Sequence, residues 1–180
     1  QIARDVIKEI GYDDVAKGID YKTCEVKVFV KTQSPDIAQG VNRSDDNSVL
    51  GAGDQGIMFG YATNETASFM PLPIALAHKL SKTLSDAKSK IDWLLPDGKT
   101  QVTVAYDGNT PKFVHTVLVS ASHKAGIDQE VLRSTIMEEV IKPSIDPKWI
   151  TEDTIFIINP SGEFSIAGSF SDSGTTGRKI

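Results

Sequence analysis

The sequence predicts an α+β fold, with an antiparallel or mixed sheet that is backed on one face by two helices. Two segments carry apolar residues at three- and four-residue steps, which is typical of amphipathic helices. Four shorter segments are alternating or continuously apolar, which is typical of strands. The helices are predicted at residues 74–91 and 131–141, and the strands at 102–106, 114–119, 154–158 and 164–166. This order favours helices on one face of a single sheet.

The N-terminal part of the chain predicts one helix and one strand. Apolar residues form a helical stripe over residues 2–10, and Gly11 is the expected end of that helix. Residues 24–30 alternate between apolar and polar side chains, which predicts a strand with Cys24 buried on its apolar face. Residues 33–50 have no apolar periodicity. A connection of this length is either functional or disordered, and we favour a mobile active-site loop over a passive linker.

Turn and cap residues predict where the later elements begin and end. Residues 107–109, Asp-Gly-Asn, predict a hairpin turn between the strands on either side. Asp128 is the expected N-cap of the second long helix, and Pro143 is its expected stop. Residues 159–162, Asn-Pro-Ser-Gly, predict the turn before the last strand.

Composition excludes several functional classes. The chain has 180 residues and a net charge of −5, which argues against a nucleic-acid-binding surface. No apolar run reaches the roughly 18 residues that predict a membrane-spanning helix. The single cysteine excludes an internal disulfide framework and favours a reducing compartment, so we expect a cytoplasmic protein. The chain starts at Gln1 in mid-helix and stops shortly after a basic pair, so we expect it to be part of a longer protein.

Residues 51–56, Gly-Ala-Gly-Asp-Gln-Gly, fit the dinucleotide pattern GxGxxG. We reject a Rossmann site, because no strand precedes the pattern and Gly60 interrupts the segment that would have to be a helix. The three glycines indicate either a sharp turn or a turn that binds a ligand, and the sequence leaves both interpretations open. The three histidines, His78, His115 and His123, lack the spacing of metal ligands.

Two polar motifs are candidates for binding a phosphorylated ligand. Asp97 and Lys99 are two residues apart at the start of a strand, where a carboxylate and an ammonium group can share one cleft that suits ATP. An ordinary polar turn is the alternative. Asp172, Arg178 and Lys179 join an acid to a basic pair across a glycine-rich turn. Arginine and lysine suit phosphate oxygens, and a solvated basic tail is the alternative.

The stretch GAGDQGIMFGYATNET, residues 51–66, resembles the signature of S-adenosylmethionine synthetases (methionine adenosyltransferases). The resemblance extends on both sides and spans essentially the whole chain, about the middle half of a family member. The other matching stretches are QSPDIAQGV (33–41), PDGKTQVTVAY (96–106), MEEVIKP (137–143), INPSGEF (158–164) and TGRKI (176–180).

The resemblance implies an enzyme that joins ATP to L-methionine. In this family the methionine sulfur attacks C5′ of ATP, and the displaced triphosphate is hydrolysed to pyrophosphate and phosphate. Mg²⁺ and K⁺ assist. The active sites lie between two chains, which implies a homodimer that uses its sheet faces, or a tetramer. The implied domains are residues 1–64 with the 33–50 loop and the GAGDQG turn, residues 65–168, and residues 169–180 returning into the first.

The matching motifs also imply roles for individual residues. Methionine contacts are implied at Gln33 and Asp172, and no metal ligand is implied within this chain. Lys99 and Arg178 act in catalysis, with Asp54 reaching into the partner's site. The implied ATP contacts are Asp97, Gly98, Lys99, Glu163, Phe164, Asp172, Arg178 and Lys179.

Departures from the family pattern keep a second function open. Glu163 stands where the family usually has arginine, and residues 167–172 lack the usual glycine-glycine-proline turn. The family's N-terminal His-Pro-Asp-Lys segment and its later lysine motif are absent, so we expect the chain alone to be inactive. A non-catalytic relative that binds nucleotide or stabilises a catalytic partner is the alternative. A NAD-binding oxidoreductase rests only on the rejected glycine pattern.

Overall fold

The structure, a computed structural model, describes residues 1–42, 51–172 and Gly174. These fall into two compact units, Gln1–Cys24 with Ala62–Ile180, and Glu25–Tyr61. Three 3₁₀ turns, at Val15–Lys17, Pro147–Trp149 and Gly168–Phe170, connect longer elements. The helices are α1 (Ile2–Ile10), α2 (Pro35–Val41), α3 (Leu72–Ala87) and α4 (Gln129–Ile136), and the strands are β1 (Leu94–Asp107), β2 (Thr110–His123) and β3 (Ile155–Ile158).

The predicted α+β class is confirmed by a three-stranded mixed sheet in the order β1-β2-β3. Strands β1 and β2 form the expected antiparallel hairpin, which closes at the pair Asp107 and Thr110. Strand β3 lies parallel to β2, with Val119 opposite Ile158. The order helix, strand, strand, helix, strand is therefore as predicted from Leu72 to Ile158.

One hydrophobic core joins α3 and α4 to one face of this sheet, and fully buried side chains such as Leu80 of α3, Val117 of β2 and Leu132 of α4 belong to it. Burying each such side chain stabilises the fold by about 1.5–3 kcal/mol. Val102 is buried in this core and Val104 packs against it. These two valines therefore face the helices of the same chain and need no cover from a second chain.

Helix α4 begins as predicted, with Asp128 accepting hydrogen bonds from the backbone N–H groups of Glu130 and Val131. The helical path that begins with α4 ends at Ser144, one residue after the predicted stop at Pro143. The helical path continues as a π-helix over Met137–Ile141 and a last turn over Lys142–Ser144. In this widened turn Lys142 N–H donates to Met137 O. The π-turn accommodates the proline, which cannot donate to an earlier carbonyl.

The predicted strand at residues 164–166 is not formed. The backbone of Phe164 bonds to His123 at the end of β2 and not to β3. Strand β3 pairs with β2, and the chain turns at residues 159–162. Residues 163–166 therefore pass beside the end of β2.

The predicted strand at residues 24–30 is also wrong, since residues 25–33 have no regular structure. Val28 and Val30 are 79% and 90% exposed. An alternating pattern forms a strand only where a second strand satisfies its backbone, and the described residues place none beside this segment. Cys24 is half-buried in a turn, with Arg4 Nη1 3.6 Å from its Sγ.

The predicted loop at residues 33–50 is partly helical. Helix α2 starts at Pro35, and proline is favoured in the first turn because its missing N–H needs no partner there. Residues 43–50 lie outside the described residues, so the predicted mobility of the loop stays a prediction. No helix among the described residues is long and apolar enough to cross a membrane.

Candidate active site

The start of β1 brings a carboxylate and an ammonium group to the same short segment of chain. Asp97 Oδ2 accepts a hydrogen bond of 3.2 Å from Gly168 N–H. Lys99 Nζ lies 5.8 Å from the centre of the Phe164 ring, within range of a cation–π interaction. Asp97 and Lys99 alternate along β1, so their side chains leave the strand on the same side. Both side chains therefore lie against residues 164–168, and this is where the sequence predicts a polar cleft.

Gly98, which lies between Asp97 and Lys99 in sequence and faces the other side of the strand, allows α3 and β2 to approach closely. A Cβ atom at this position would lie 2.7 Å from Leu84 Cδ2 and 3.3 Å from the backbone oxygen of Ser120. No side chain larger than hydrogen fits without displacing one of them. Gly98 thus has a packing role, and its assignment to ATP stays a prediction.

The main chain around Asp97 is held by two side chains that sequence reasoning missed. Ser122 Oγ donates a hydrogen bond of 2.6 Å to Asp97 O. Lys88 Nζ donates to Pro96 O. Burial lowers the pKa of Lys88, and the nearby Asp97 carboxylate partly offsets that shift. No sequence pattern singles out Lys88, which follows the last turn of α3.

Phe164 is held by His123, a fully buried residue at the end of β2. His123 N–H donates 3.0 Å to Phe164 O, and Phe164 N–H donates 3.1 Å to His123 Nε2. The sequence placed His123 in a loop and tested it only as a metal ligand. The signal that was available is its position at the end of the alternating run that forms β2.

Glu163 and Asp172 flank this cleft in sequence, and both side chains are exposed. Asp172 N–H bonds to Gly168 O at 3.1 Å, so Asp172 belongs to the turn whose Gly168 N–H holds Asp97. Gly168 has φ +59°, and a Cβ there would overlap the hydroxyl of Tyr12. Both observations require glycine at this position. The roles of Glu163 and Asp172 toward a ligand stay predictions.

The other predicted site residues belong to the second unit or lie outside the described residues. Gln33 and Asp54 belong to the unit Glu25–Tyr61, and both are exposed. Gln33 comes two residues before α2, and Asp54 Oδ1 accepts a hydrogen bond of 2.9 Å from Gln55 N–H. Arg178 and Lys179 lie outside the described residues.

Metal-ligating side chains do not cluster in the described parts of the chain. Residues 1–42, 51–172 and Gly174 contain no group of three or more His, Cys, Asp or Glu side chains that could hold an ion. Mg²⁺ is commonly held by one or two carboxylates together with substrate phosphates. The residues present therefore form no metal cage, and no catalytic step through a metal ion is derived from them.

Residues 49–164 match the family described as S-adenosylmethionine synthetase, central domain. The match covers more than half of the 180 residues. It includes Asp54, the cleft residues Asp97 and Lys99, and the aromatic residue Phe164, whereas Gln33 lies before it. The resemblance that the glycine-rich signature suggested is therefore confirmed, and the chain belongs to the S-adenosylmethionine synthetase family.

Proposed function

We propose that this chain is part of an active methionine adenosyltransferase, which forms S-adenosylmethionine from ATP and L-methionine and releases phosphate and pyrophosphate. The observation that carries the proposal is that Asp97 and Lys99, which lie in the stretch that matches the family, meet residues 164–168 at the start of β1. An acid, a cation and an aromatic ring are the groups that an adenine nucleotide needs there.

The reaction makes few covalent demands on the protein. The methionine sulfur forms a bond to C5′, and the C5′–O bond breaks with its electron pair going to the triphosphate. The positive charge then rests on the sulfonium. Alignment of sulfur with C5′ and stabilisation of the negative leaving group therefore lower the barrier. Lys99 supplies a positive charge for the triphosphate from a fixed strand position.

Asp97 suits the adenosine end of the nucleotide. A carboxylate has about four acceptor positions, so Asp97 can accept from adenosine while Gly168 N–H occupies one of them. The hydrogen bond from Gly168 also fixes the orientation of the carboxylate before a ligand arrives. The Phe164 ring lies beside Lys99 and offers an apolar wall to the nucleotide.

The remaining assignments follow the family motifs. Gln33 is proposed to contact methionine, and Asp172 to contact adenosine and methionine. Arg178 and Lys179 are proposed to hold the triphosphate, and Asp54 to reach the active site of a partner subunit. Mg²⁺ and K⁺ are proposed as cofactors that accompany the phosphates. The domain division at residues 1–64, 65–168 and 169–180, and a cytoplasmic location, are proposed on the same basis.

We propose a homodimer, or a tetramer built from it, that buries the sheet face opposite the helices. Leu118 and Ile157 are neighbours on that face, because Val117 and Phe156, the adjacent pair, point to the core. Ile155 is 48% exposed on the same face. Sedimentation of the full-length protein tests this. We expect Leu118→Glu to dissociate it and Val131→Glu, on exposed α4 surface, to leave it intact; equal behaviour would contradict the proposed face.

The enzymatic proposal is tested by Lys99→Met in the full-length protein. We expect kcat to fall about a hundredfold, as when a transition-state donor is removed, while the KM for methionine changes little. Lys112→Met is the control, because Lys112 is an exposed lysine of the adjacent strand that pairs with Asp107. A raised methionine KM with intact kcat would contradict the role given to Lys99.

A non-catalytic relative is the second candidate, and exposed Glu163 beside Phe164 favours it. A carboxylate near an anionic ligand opposes phosphate binding. The two candidates differ in one observable. An enzyme forms S-adenosylmethionine from ATP and methionine, whereas the non-catalytic relative binds nucleotide without forming product.

A further inference from the structure

We propose that His123 is a positioning residue of the ATP site, which holds the backbone of Phe164 and so fixes the wall of the cleft next to Lys99. The inference rests on the proposed function, since it takes the cleft at the start of β1 to bind the nucleotide. It adds a residue that no family motif quoted above contains.

The last three residues of β2 form hydrogen bonds to the segments on both sides of the cleft. Ala121, Ser122 and His123 are all buried, and each bonds to a different segment. Ala121 N–H and C=O bond to the side chain of Asn159 at 2.8 and 3.0 Å. Ser122 Oγ holds Asp97 O. His123 holds Phe164, so one strand end positions both walls of the cleft.

The hydrogen bonds of His123 define the form of its ring. Nε2 must be an acceptor, because its partner is the Phe164 N–H at 3.1 Å. Nδ1 must carry the proton, because its partner at 2.9 Å is the carbonyl oxygen of Lys124. The imidazole in this arrangement is therefore neutral and protonated on Nδ1. It acts through the backbone of Phe164 and does not touch the nucleotide itself.

The segment from Phe164 to Gly168 needs these bonds because it is not part of the sheet. Among the described residues, the long-range hydrogen bonds of this segment join Phe164 to His123 and Gly168 to Asp97. Each bond pins one end of the segment. Without the acceptor at Nε2, Phe164 N–H loses its partner, and an unsatisfied polar group of this kind favours a shifted backbone. The Phe164 ring then leaves its place beside Lys99.

Two side-chain amides test this arrangement in the full-length protein. In His123→Gln the amide extends far enough to accept from Phe164 N–H. In His123→Asn it ends at the depth of Nδ1, so it reaches Lys124 O but not Phe164. His115→Asn is the matched control, since His115 is exposed on the same strand and bonds to Thr116. Binding of AMP-PNP and of methionine is measured by titration calorimetry, with thermal unfolding as the folding control.

We expect His123→Asn to weaken AMP-PNP binding about tenfold, the effect of one buried donor left without an acceptor. Methionine affinity should stay within about twofold, and His123→Gln should recover most of the loss. His115→Asn should match the wild type. If His123→Asn does not fold, His123→Ser, which also leaves Phe164 N–H without the Nε2 acceptor, carries the test with the same expected selectivity.

Equal loss of AMP-PNP and methionine affinity would overturn the inference, because it would indicate a general loss of structure. AMP-PNP binding that is unchanged in His123→Asn, or in His123→Ser where that variant replaces it, would also overturn it and would leave the proposed function standing. A wild-type protein that does not bind AMP-PNP would instead overturn the proposed function, and the inference with it.

Discussion

In the larger unit the apolar side chains of α3, α4 and the three strands meet one another, whereas in Glu25–Tyr61 most apolar side chains face solvent. Ile136 of α4 is fully buried, and Ile57 of the smaller unit is 77% exposed. Both units have strongly apolar segments. The difference is that the hairpin and helices of the larger unit provide partners for each other, and residues 25–33 and 57–61 have none within their unit.

This difference shows that a local sequence pattern is sufficient to define structure only where the folded chain supplies a neighbouring element to pair with it. The alternating apolar and polar residues of β2 form a strand because β1 and β3 lie on either side of them. The same kind of alternation at residues 24–30 does not. The candidate site shows the same contrast, since Asp97, Lys99 and Phe164 are assembled by the larger unit itself.

The largest expected effect is on stability, from the same substitution made in both units. In the 180-residue chain we expect Ile136→Ala to lower the free energy of unfolding by about 2–5 kcal/mol, because it leaves a cavity in the core. Ile57→Ala should change it by less than about 0.5 kcal/mol, as at an ordinary surface site. Chemical denaturation measures both. A comparable loss at Ile57 would show that the smaller unit has a core of its own.

A second matched pair concerns glycine. Gly98→Ala should cost about 1–3 kcal/mol through overpacking, because its Cβ would press on Leu84 and on Ser120 O. Gly60→Ala places its Cβ in open space and should leave stability nearly unchanged. Thermal unfolding compares the two. If Gly98→Ala is equally mild, α3 does not approach β1 as closely as the structure indicates.

The smallest expected effect is a pH dependence at Glu65, in the larger unit. Hydrogen bonds from Tyr106 Oη, Leu72 N–H and Thr63 Oγ1 lower the pKa of this carboxyl below its ordinary value of 4.5. A lowered pKa in the folded state stabilises the fold above the ordinary value, and that stabilisation is lost as the pH falls through the lowered value.

We therefore expect Glu65→Gln to lower the unfolding temperature slightly at neutral pH. The difference from the wild type should shrink as the medium becomes acidic. The exposed residue Glu152 provides the control substitution, Glu152→Gln. A difference that is constant across this pH range would mean that the charge of Glu65 does not contribute.

The sequence predicted the parts of the fold that depend on local periodicity and on caps. The α3 helix, the hairpin, the Asp128 cap and β3 were all available from apolar spacing and turn residues. It did not predict that residues 163–166 would leave the sheet, because that depends on the imidazole of His123 competing for the Phe164 backbone. Nor did it predict α2, since a single helix of seven residues has little apolar periodicity.

The polar residues of the candidate site could be predicted from the sequence, but the residues that hold them in place could not. Asp97 and Lys99 stand out because a charged pair at a strand entry is recognisable from spacing. Ser122, His123 and Lys88 are distant in sequence from the residues they hold, and only the folded chain shows those contacts. Residue type alone cannot distinguish a buried histidine that orients a backbone from one that fills space.

The most direct test of the proposed ATP site is amide hydrogen exchange of the full-length protein with and without AMP-PNP. The account predicts slower exchange on binding at residues 97–99 and 163–168, the two walls of the cleft, and no change at the hairpin turn, residues 107–110. Binding of AMP-PNP that leaves both walls unchanged would contradict the placement of the nucleotide between β1 and Phe164.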